Sequence, residues 1–422
     1  MAVHPDSWRY RPEIVSAFQF GMFIFVLTAL IGLANATQVF GELARETILT
    51  HVHSGTLGWI TLGIFGLALI LFGGSARRQM GDEKVRNFVL ISGVATVAYV
   101  IAFWTASFPA KALFGAIQLV VIVGWWWFAY SNARRMGFAR LSTPQYALFL
   151  SLTSLVVGST FGALYQALVA TGVYAAPTVA GPGATPTGQL DLIGPHVTAQ
   201  TTGYLILAAF AAIDWRLRPG MGARDRSGDA TIYLLFAAGL ITVVFLLANQ
   251  TQAVALANLL QLIAVVLIVI RFGGAVMRTS WGSADGGRHF AIAVPWLVAN
   301  IFLFIALVVL IIQNQGDFTK IPPGLFPAFS HTIFVGVMTN ILFGAIHAQS
   351  AARPRAWPWA DHLIFWGVNL GLLGLVVALL AAAKDAERFT APVMGLAILL
   401  GIATFTARLQ AGPAPQQAAA PA

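Results

Sequence analysis

The chain has 422 residues, of which 58% are hydrophobic and only 9% are charged. A soluble domain cannot bury so large an apolar fraction, so we expect a protein that crosses a membrane many times. The net charge of +9 does not indicate a nucleic-acid partner, because the basic residues lie in short loops between apolar segments. The absence of cysteine excludes thiolate metal sites, iron–sulfur clusters, c-type haem attachment and disulfides.

Twelve apolar segments are long enough to cross a bilayer as helices. In chain order they are predicted at 15–37, 50–73, 87–107, 112–131, 145–171, 196–215, 231–249, 252–272, 291–313, 327–348, 362–383 and 391–408. No cleavable signal peptide is expected at the N-terminus, because the first span is too long for one. We expect a single domain over residues 1–410, and a disordered tail over 411–422, which lacks core-forming residues.

The basic residues also predict the orientation of the helices. Of the 24 lysines and arginines, 19 lie at the N-terminus or in the loops after even-numbered helices. The other five are Arg45, Lys111, Lys320, Lys384 and Arg388. Because cytoplasmic loops carry the excess of positive charge, both termini should be cytoplasmic in a bacterial inner membrane. Helices 2, 6 and 10 would then begin on the periplasmic side.

Four of the eight histidines lie at the starts of helices 2, 6 and 10. They are His51, His53, His196 and His331. The other four lie towards the predicted cytoplasmic side, where we interpret them as interfacial residues. They are His4, His289, His347 and His362.

Helices 2, 6 and 10 can be aligned with one another. They read HVHSGTLGWITLGIFG, HVTAQTTGYLILAAFA and FSHTIFVGVMTNILFG, so that Gly58, Gly203 and Gly336 coincide. The spacing of these glycines, about a third of the chain, predicts three repeats of four helices around a pseudo-threefold axis. Chance matches are the alternative, since glycine and phenylalanine are frequent in this chain.

Two positions of the alignment carry the histidines. The first register, seven residues before the shared glycine, holds His51, His196 and Phe329. The second register, five residues before it, holds His53, Thr198 and His331.

The segment HVHSGTLGW (51–59) resembles the tenth-helix motif of subunit I in the haem–copper oxidase superfamily, especially in cbb-type oxidases and nitric oxide reductases. The twelve-helix count and the threefold repeat extend this resemblance over nearly the whole chain. It implies an all-α membrane fold of three four-helix repeats. In that family the first histidine of the motif binds a high-spin catalytic haem between helices 6 and 10. The second binds a low-spin haem between helices 10 and 2.

The sequence departs from the family pattern in several ways. The paired histidines are on helix 2, and helix 10 has Phe329 in place of the ligand of the high-spin haem. Helix 7 lacks a histidine pair for copper, and no Asp or Glu lies at mid-bilayer. Tyr204 is the only candidate for the family's catalytic tyrosine, and its spacing from His196 does not match. We therefore expect no copper, no oxygen-reducing centre and no catalytic residue.

Residues two apart on an α-helix point about 200° apart. His51 and His53 therefore cannot bind the same iron. Threefold symmetry applied to the family's rule makes His51 face His331, and His53 face His196. We predict two bis-histidine b-type haems, the first with family precedent and the second from symmetry alone. The alternative is that each histidine only hydrogen-bonds a carbonyl or a lipid headgroup.

Three further residues complete the predicted site. Gly55 and Gly58 lie near the His51 face of helix 2, where they would let a flat macrocycle approach the backbone. Arg45, in the preceding loop, is either a partner for a haem propionate or a solvated loop charge. The remaining space between inner helices holds Thr198 and Phe329, neither of which is a haem ligand.

Iron with two axial imidazoles transfers electrons and binds gases poorly. We therefore interpret the chain as a membrane b-type cytochrome, an electron-transfer subunit of an oxidoreductase complex rather than a terminal oxidase. It would exchange electrons near the periplasmic face with quinol or a periplasmic cytochrome c, and associate with other membrane subunits. Two alternatives stay open: a catalytic cytochrome c oxidase or nitric oxide reductase-like subunit with a high-spin haem, and a non-enzymatic haem or gas-responsive assembly protein.

Overall fold

A computed structural model describes residues 8–74, 81–175, 190–219, 224–314, 317–351, 353 and 355–411. Within these ranges twelve helices are long and apolar enough to cross a membrane, as predicted. They are α1 Arg11–Thr37, α2 Arg45–Gly73, α3 Asp82–Trp104, α4 Phe108–Met136, α5 Thr143–Ala170, α6 Ile193–Leu217, α7 Arg226–Leu247, α8 Val254–Met277, α9 Gly287–Gln313, α10 Leu325–Ser350, α11 Ala360–Leu380 and α12 Lys384–Gln410. His4 and residues 412–422 of the predicted tail lie outside the described residues.

Helix α12 shows why several predicted boundaries are too short. It begins at Lys384, seven residues before the predicted start, and its first turn carries Asp385 and Glu387. A hydropathy criterion stops where charges begin, whereas the helical backbone continues through them. Acidic side chains are favourable in the first turn of a helix, because they face the positive end of the helix dipole.

Helices α2, α6 and α10 form the interior of the bundle. Their apolar windows are 78%, 83% and 83% buried, against 33–56% for the other nine helices of the described chain. The other nine therefore surround these three and present one side to lipid. The ends at which Arg45, Ile193 and Leu325 begin the three inner helices also carry the four clustered histidines, and we call this the histidine end.

Each inner helix changes from α-helical to π-helical geometry at the same register. The π-helical segments are Ser54–Thr61, Ala199–Leu205 and Thr332–Thr339, and each begins four residues before the shared glycine. Because π-helical turns are rare, their recurrence at one register confirms the threefold repeat predicted from the sequence.

The shared glycine marks the point where each inner helix is crossed by the helix before it. A Cβ atom at this position would collide with a side chain of that helix: Ile24 of α1 at Gly58, Ser154 of α5 at Gly203, and Trp296 of α9 at Gly336. The glycines therefore allow a close helix crossing, repeated three times.

Two buried hydrogen bonds tie the inner helices to one another. Trp59 Nε1 of α2 donates to Thr339 Oγ1 of α10 at 3.0 Å. Tyr204 OH of α6 donates to Thr61 Oγ1 of α2 at 3.1 Å. Tyr204 is thus engaged in holding two inner helices together.

Two of the four remaining histidines are buried rather than interfacial. His289 is 3% exposed, with Nδ1 3.1 Å from Asn340 Oδ1. His347 is 7% exposed, with Nε2 3.9 Å from Asp361 Oδ1. The interpretation of His289 as interfacial was wrong, because its side chain lies in a polar contact between α9 and α10. His347 is buried near the end of α10, which suits a structural residue. His362 is exposed, as expected.

Candidate functional site

His51 of α2 and His331 of α10 face each other between two inner helices. Their ring centroids are 6.4 Å apart and their planes are inclined by 32°. A metal ion about 2 Å from a nitrogen of each imidazole would place the two ring centres roughly 6 Å apart. The pair therefore has the spacing that one iron held between two imidazoles requires.

The two first-register histidines are oriented by the outer helix that precedes them. His51 Nδ1 lies 2.9 Å from Thr28 O of α1. His196 Nδ1 lies 2.7 Å from Gly158 O of α5. Thr28 lies four residues after Ile24, which packs against Gly58. Gly158 lies four residues after Ser154, which packs against Gly203. The two contacts are therefore equivalent under the threefold repeat.

The two second-register histidines are oriented by their own helix. His53 Nδ1 lies 2.8 Å from Leu49 O, and His331 Nδ1 lies 2.8 Å from Pro327 O. A carbonyl oxygen can only accept a hydrogen bond, so Nδ1 carries the proton in all four rings and the lone pair lies on Nε2. Histidines that bind metals are held in this way, with one ring nitrogen fixed by a carbonyl and the other directed at the metal.

None of the four histidine residues is fully buried. Each keeps intermediate accessible surface at the histidine end. Part of each residue is therefore left uncovered by its neighbours.

A glycine of the outer helix makes the space for each first-register imidazole. A Cβ atom on Gly32 of α1 would lie 2.9 Å from His51 Cε1. A Cβ atom on Gly162 of α5 would lie 2.8 Å from His196 Cε1 and Nδ1. Either contact is closer than real Cβ atoms tolerate, so a larger residue would displace the ring.

The third repeat fills the corresponding space. Phe304 of α9 is equivalent to Gly32 of α1 and Gly162 of α5. Each lies eight residues after the residue that packs against the shared glycine of its repeat, which is Trp296, Ile24 and Ser154 respectively. Its ring centroid lies 5.5 Å from that of Phe329, which is 1% exposed. Two phenyl rings therefore occupy the volume that a glycine and a histidine share in the other repeats.

His53, which is predicted to pair with His196, is restrained by an aromatic ring. It stacks on Phe103 of α3, with ring centroids 3.7 Å apart and planes 16° apart. The pairing of His53 with His196 stays a prediction.

The remaining predicted site residues have other contacts. A Cβ atom on Gly55 would lie 3.1 Å from Thr28 Cγ2, and Gly58 lies where α1 crosses α2. Close packing of α2 on α1 accounts for both glycines, so their contact with a macrocycle stays a prediction. Arg45 Nη1 lies 3.5 Å from Glu46 Oε1, while Arg45 Nε is buried without a hydrogen-bond partner.

Within the described ranges, no group of three or more His, Asp or Glu side chains is placed to hold a metal ion by itself. A metal at the paired histidines would therefore need ligands beyond the His, Asp and Glu side chains of these ranges. A haem iron meets this condition, because its macrocycle provides four nitrogens and the chain needs to provide only the axial pair.

Gly32, Gly162 and the carbonyls of Thr28 and Gly158 are the site features that the sequence did not reveal. Their roles depend on contacts between neighbouring helices. An alignment of α1, α5 and α9, like that made for the inner helices, would have placed Gly32, Gly162 and Phe304 at one position.

No protein-family model matches the chain, and no curated protein matches it. Its structure is similar to that of a haem–copper terminal oxidase dimer determined by cryo-EM, with a TM-score of 0.71 and 10% sequence identity. The similarity covers 95% of this chain and 84% of that chain. At this identity the comparison establishes the fold. The chain therefore has the all-α, twelve-helix fold of haem–copper oxidase subunit I.

Proposed function

We propose that this chain is a membrane b-type cytochrome that binds haem between His51 and His331, binds a second haem between His53 and His196, and transfers electrons at the histidine end. One observation carries the proposal. All four imidazoles have Nδ1 fixed by a backbone carbonyl, and the facing rings of His51 and His331 are 6.4 Å apart.

The surroundings of the two pairs suit haem. The imidazoles supply the axial nitrogens, and the apolar helices around them exclude water from the macrocycle. A haem held by two histidines supplies one-electron transfer between ferrous and ferric iron. The protein's part is to hold each imidazole in one orientation, which the carbonyl contacts of Thr28 and Gly158 achieve for the first register.

The geometry supports electron transfer better than reduction of a gas. A gas-reducing subunit needs an iron with one free axial position. Here the position of the family's high-spin ligand is Phe329, which is packed against Phe304. Tyr204, the only candidate for a catalytic tyrosine, donates its hydroxyl hydrogen bond to Thr61.

We further propose that both termini are cytoplasmic and that the histidine end faces the periplasm of a bacterial inner membrane. The excess of lysine and arginine at the opposite end supports this orientation. The redox partners would then be a quinol or a periplasmic cytochrome c, and further membrane subunits would associate with the lipid-facing helices.

The test is a haem count with spectra of the purified protein. We expect two b-type haems per chain, low-spin by electron paramagnetic resonance, unaffected by carbon monoxide and reducible by a quinol or by reduced cytochrome c. A high-spin signal that binds carbon monoxide would favour a catalytic subunit. Haem that neither donor reduces would favour a non-enzymatic assembly protein, and a colourless protein would refute both haem sites.

A further inference from the structure

Thr28 of α1 is linked to His51 through its side chain as well as through its backbone. Its carbonyl oxygen accepts from His51 Nδ1 at 2.9 Å. Its hydroxyl oxygen lies 2.7 Å from Ser54 Oγ of α2, and Ser54 Oγ donates to the backbone carbonyl of His51 at 3.1 Å. Thr28 is 6% exposed and Ser54 is 0% exposed, so both hydroxyls are shielded from bulk water. We call Thr28 and Ser54 the hydroxyl clamp.

The supply of protons gives the clamp a direction. A carbonyl oxygen can only accept, so the single hydroxyl hydrogen of Ser54 is directed at His51 O. Thr28 must then donate its own hydroxyl hydrogen to Ser54 Oγ. The three hydrogen bonds close a ring that joins the imidazole of His51 to the backbone carbonyl of the same residue. The clamp therefore restrains the imidazole relative to its own backbone.

The third repeat has a similar pair of polar side chains but no imidazole. Asn300 of α9 and Thr332 of α10 stand at the equivalent positions. Asn300 Nδ2 donates to Thr332 Oγ1 at 2.9 Å and to Phe329 O at 2.8 Å, and Thr332 Oγ1 donates to Phe329 O at 2.7 Å. This pair ties the first-register backbone to the outer helix. In the first repeat the same kind of tie also includes a histidine ring.

The second repeat lacks the clamp. The equivalent residues are Gly158 and Ala199, which have no polar side chain. A Cβ atom on Gly158 would lie 3.0 Å from Ala199 Cβ, so the two helices pack closely there. A different hydrogen bond ties α6 to α5, from Gln200 Nε2 to Ser159 Oγ at 3.1 Å. The first-register histidines of the first and second repeats are therefore held differently.

We propose that Thr28 and Ser54 are positioning residues that set the plane of the His51 imidazole at the first haem. This inference rests on the proposed function. The clamp fixes the separation of α1 and α2 at this point, and with it the hydrogen bond from His51 Nδ1 to Thr28 O. That hydrogen bond makes the imidazole a more basic ligand, which favours ferric over ferrous iron.

The test removes the Thr28 hydroxyl from full-length protein that retains a single haem site. The His196→Ala background leaves the first site, and the His331→Ala background leaves the second. Thr28→Val keeps the shape of the side chain and the backbone carbonyl. The g values of a bis-histidine haem in electron paramagnetic resonance depend on the angle between its imidazole planes.

At the first site we expect Thr28→Val to shift the g values, to raise the midpoint potential and to lower haem affinity about ten- to hundredfold. The potential rises because a weaker hydrogen bond at Nδ1 makes the imidazole less basic. In the His331→Ala background, Thr28→Val should change none of these three properties.

Further substitutions show whether the ring of hydrogen bonds is responsible. Thr28→Ser keeps the hydroxyl and should restore the original values. Ser54→Ala breaks the same ring, so it should shift the g values and the potential in the same direction, and adding Thr28→Val should shift them little further. Thr56→Val is the matched control on α2, because that hydroxyl donates to Val52 O of its own helix at 2.8 Å.

A fall in the stability of the folded protein, with unchanged g values, potential and affinity in both Thr28→Val and Ser54→Ala, would overturn the inference. The pair would then only tie α1 to α2, and the haem sites would stand. Protein with His196→Ala alone that binds no haem would instead refute the proposed first site.

Discussion

In the first and second repeats, a glycine of the outer helix makes room for a histidine of the inner helix. The pairs are Gly32 with His51, and Gly162 with His196. In the third repeat Phe304 and Phe329 occupy the same two positions and pack together. The backbone does not account for the difference, because all three inner helices carry a π-helical segment at the same register. One pair of side chains decides whether the first register of a repeat offers a ligand or is filled by packed phenyl rings.

The largest expected effect is the loss of a haem when a first-register histidine is removed. His51→Ala should lower the haem content from two to one, because His51 is the histidine whose ring faces His331, with centroids 6.4 Å apart. His196→Ala should remove the other haem. The pyridine haemochromogen spectrum of the purified variants gives the count.

The double variant His51→Ala/His331→Ala sharpens this prediction. Both histidines are expected to bind one iron, so the second substitution should remove no further haem. His362→Ala is the control, since that histidine is exposed at the opposite end of the bundle. A double variant with no haem would contradict the pairing.

In the third repeat, Phe329→Ala should destabilise the protein without changing its haem content. Phe329 is 1% exposed and packs on Phe304, and removing a buried phenyl ring costs about 3–5 kcal/mol. Denaturant unfolding in detergent would measure the change. Phe389→Ala, at a site 76% exposed, is the matched control. Loss of haem from Phe329→Ala would show that the first register of the third repeat also takes part in binding.

A smaller effect is expected from Gly32→Ala. The added Cβ would lie 2.9 Å from His51 Cε1, and relieving such an overlap costs about 1–3 kcal/mol. Haem affinity at the first site should fall about ten- to hundredfold, as measured by titration in the His196→Ala background.

Gly273→Ala is the control for this substitution. Gly273 is also helical, and a Cβ there meets nothing within 4 Å. Unchanged affinity in Gly32→Ala would mean that His51 does not need its present position to bind haem.

The smallest effect is expected from Tyr204→Phe. The substitution removes the hydrogen bond to Thr61 Oγ1, which is worth about 0.5–1.5 kcal/mol of stability. Because Tyr204 has a structural role in this account, the visible spectrum and the rate of reduction by quinol should stay the same. A loss of electron transfer larger than the loss of folded protein would favour a catalytic subunit.

The sequence was sufficient for the fold and for the inner helices. Hydropathy predicts the number of spans, and the shared register of Gly58, Gly203 and Gly336 is a local pattern on three similar segments. The same pattern was not sufficient for the environment of the histidines. Gly32 contacts His51 only because α1 crosses α2 at one particular angle, and no local periodicity encodes that angle.

The buried histidines at the other end show the same limit. His289 and His347 lie near the ends of predicted spans, where hydropathy alone suggests an interface. His289 is buried against Asn340 of another segment, and His347 lies 3.9 Å from Asp361 of α11. A sequence read one helix at a time cannot identify such partners.

The most direct test of the account is a cryo-EM map of the purified protein that resolves the histidine end. We predict porphyrin density between α2 and α10, with iron bonded to Nε2 of His51 on one side and of His331 on the other. Density between the helices without a porphyrin, or an iron bound by only one of these two histidines, would contradict it.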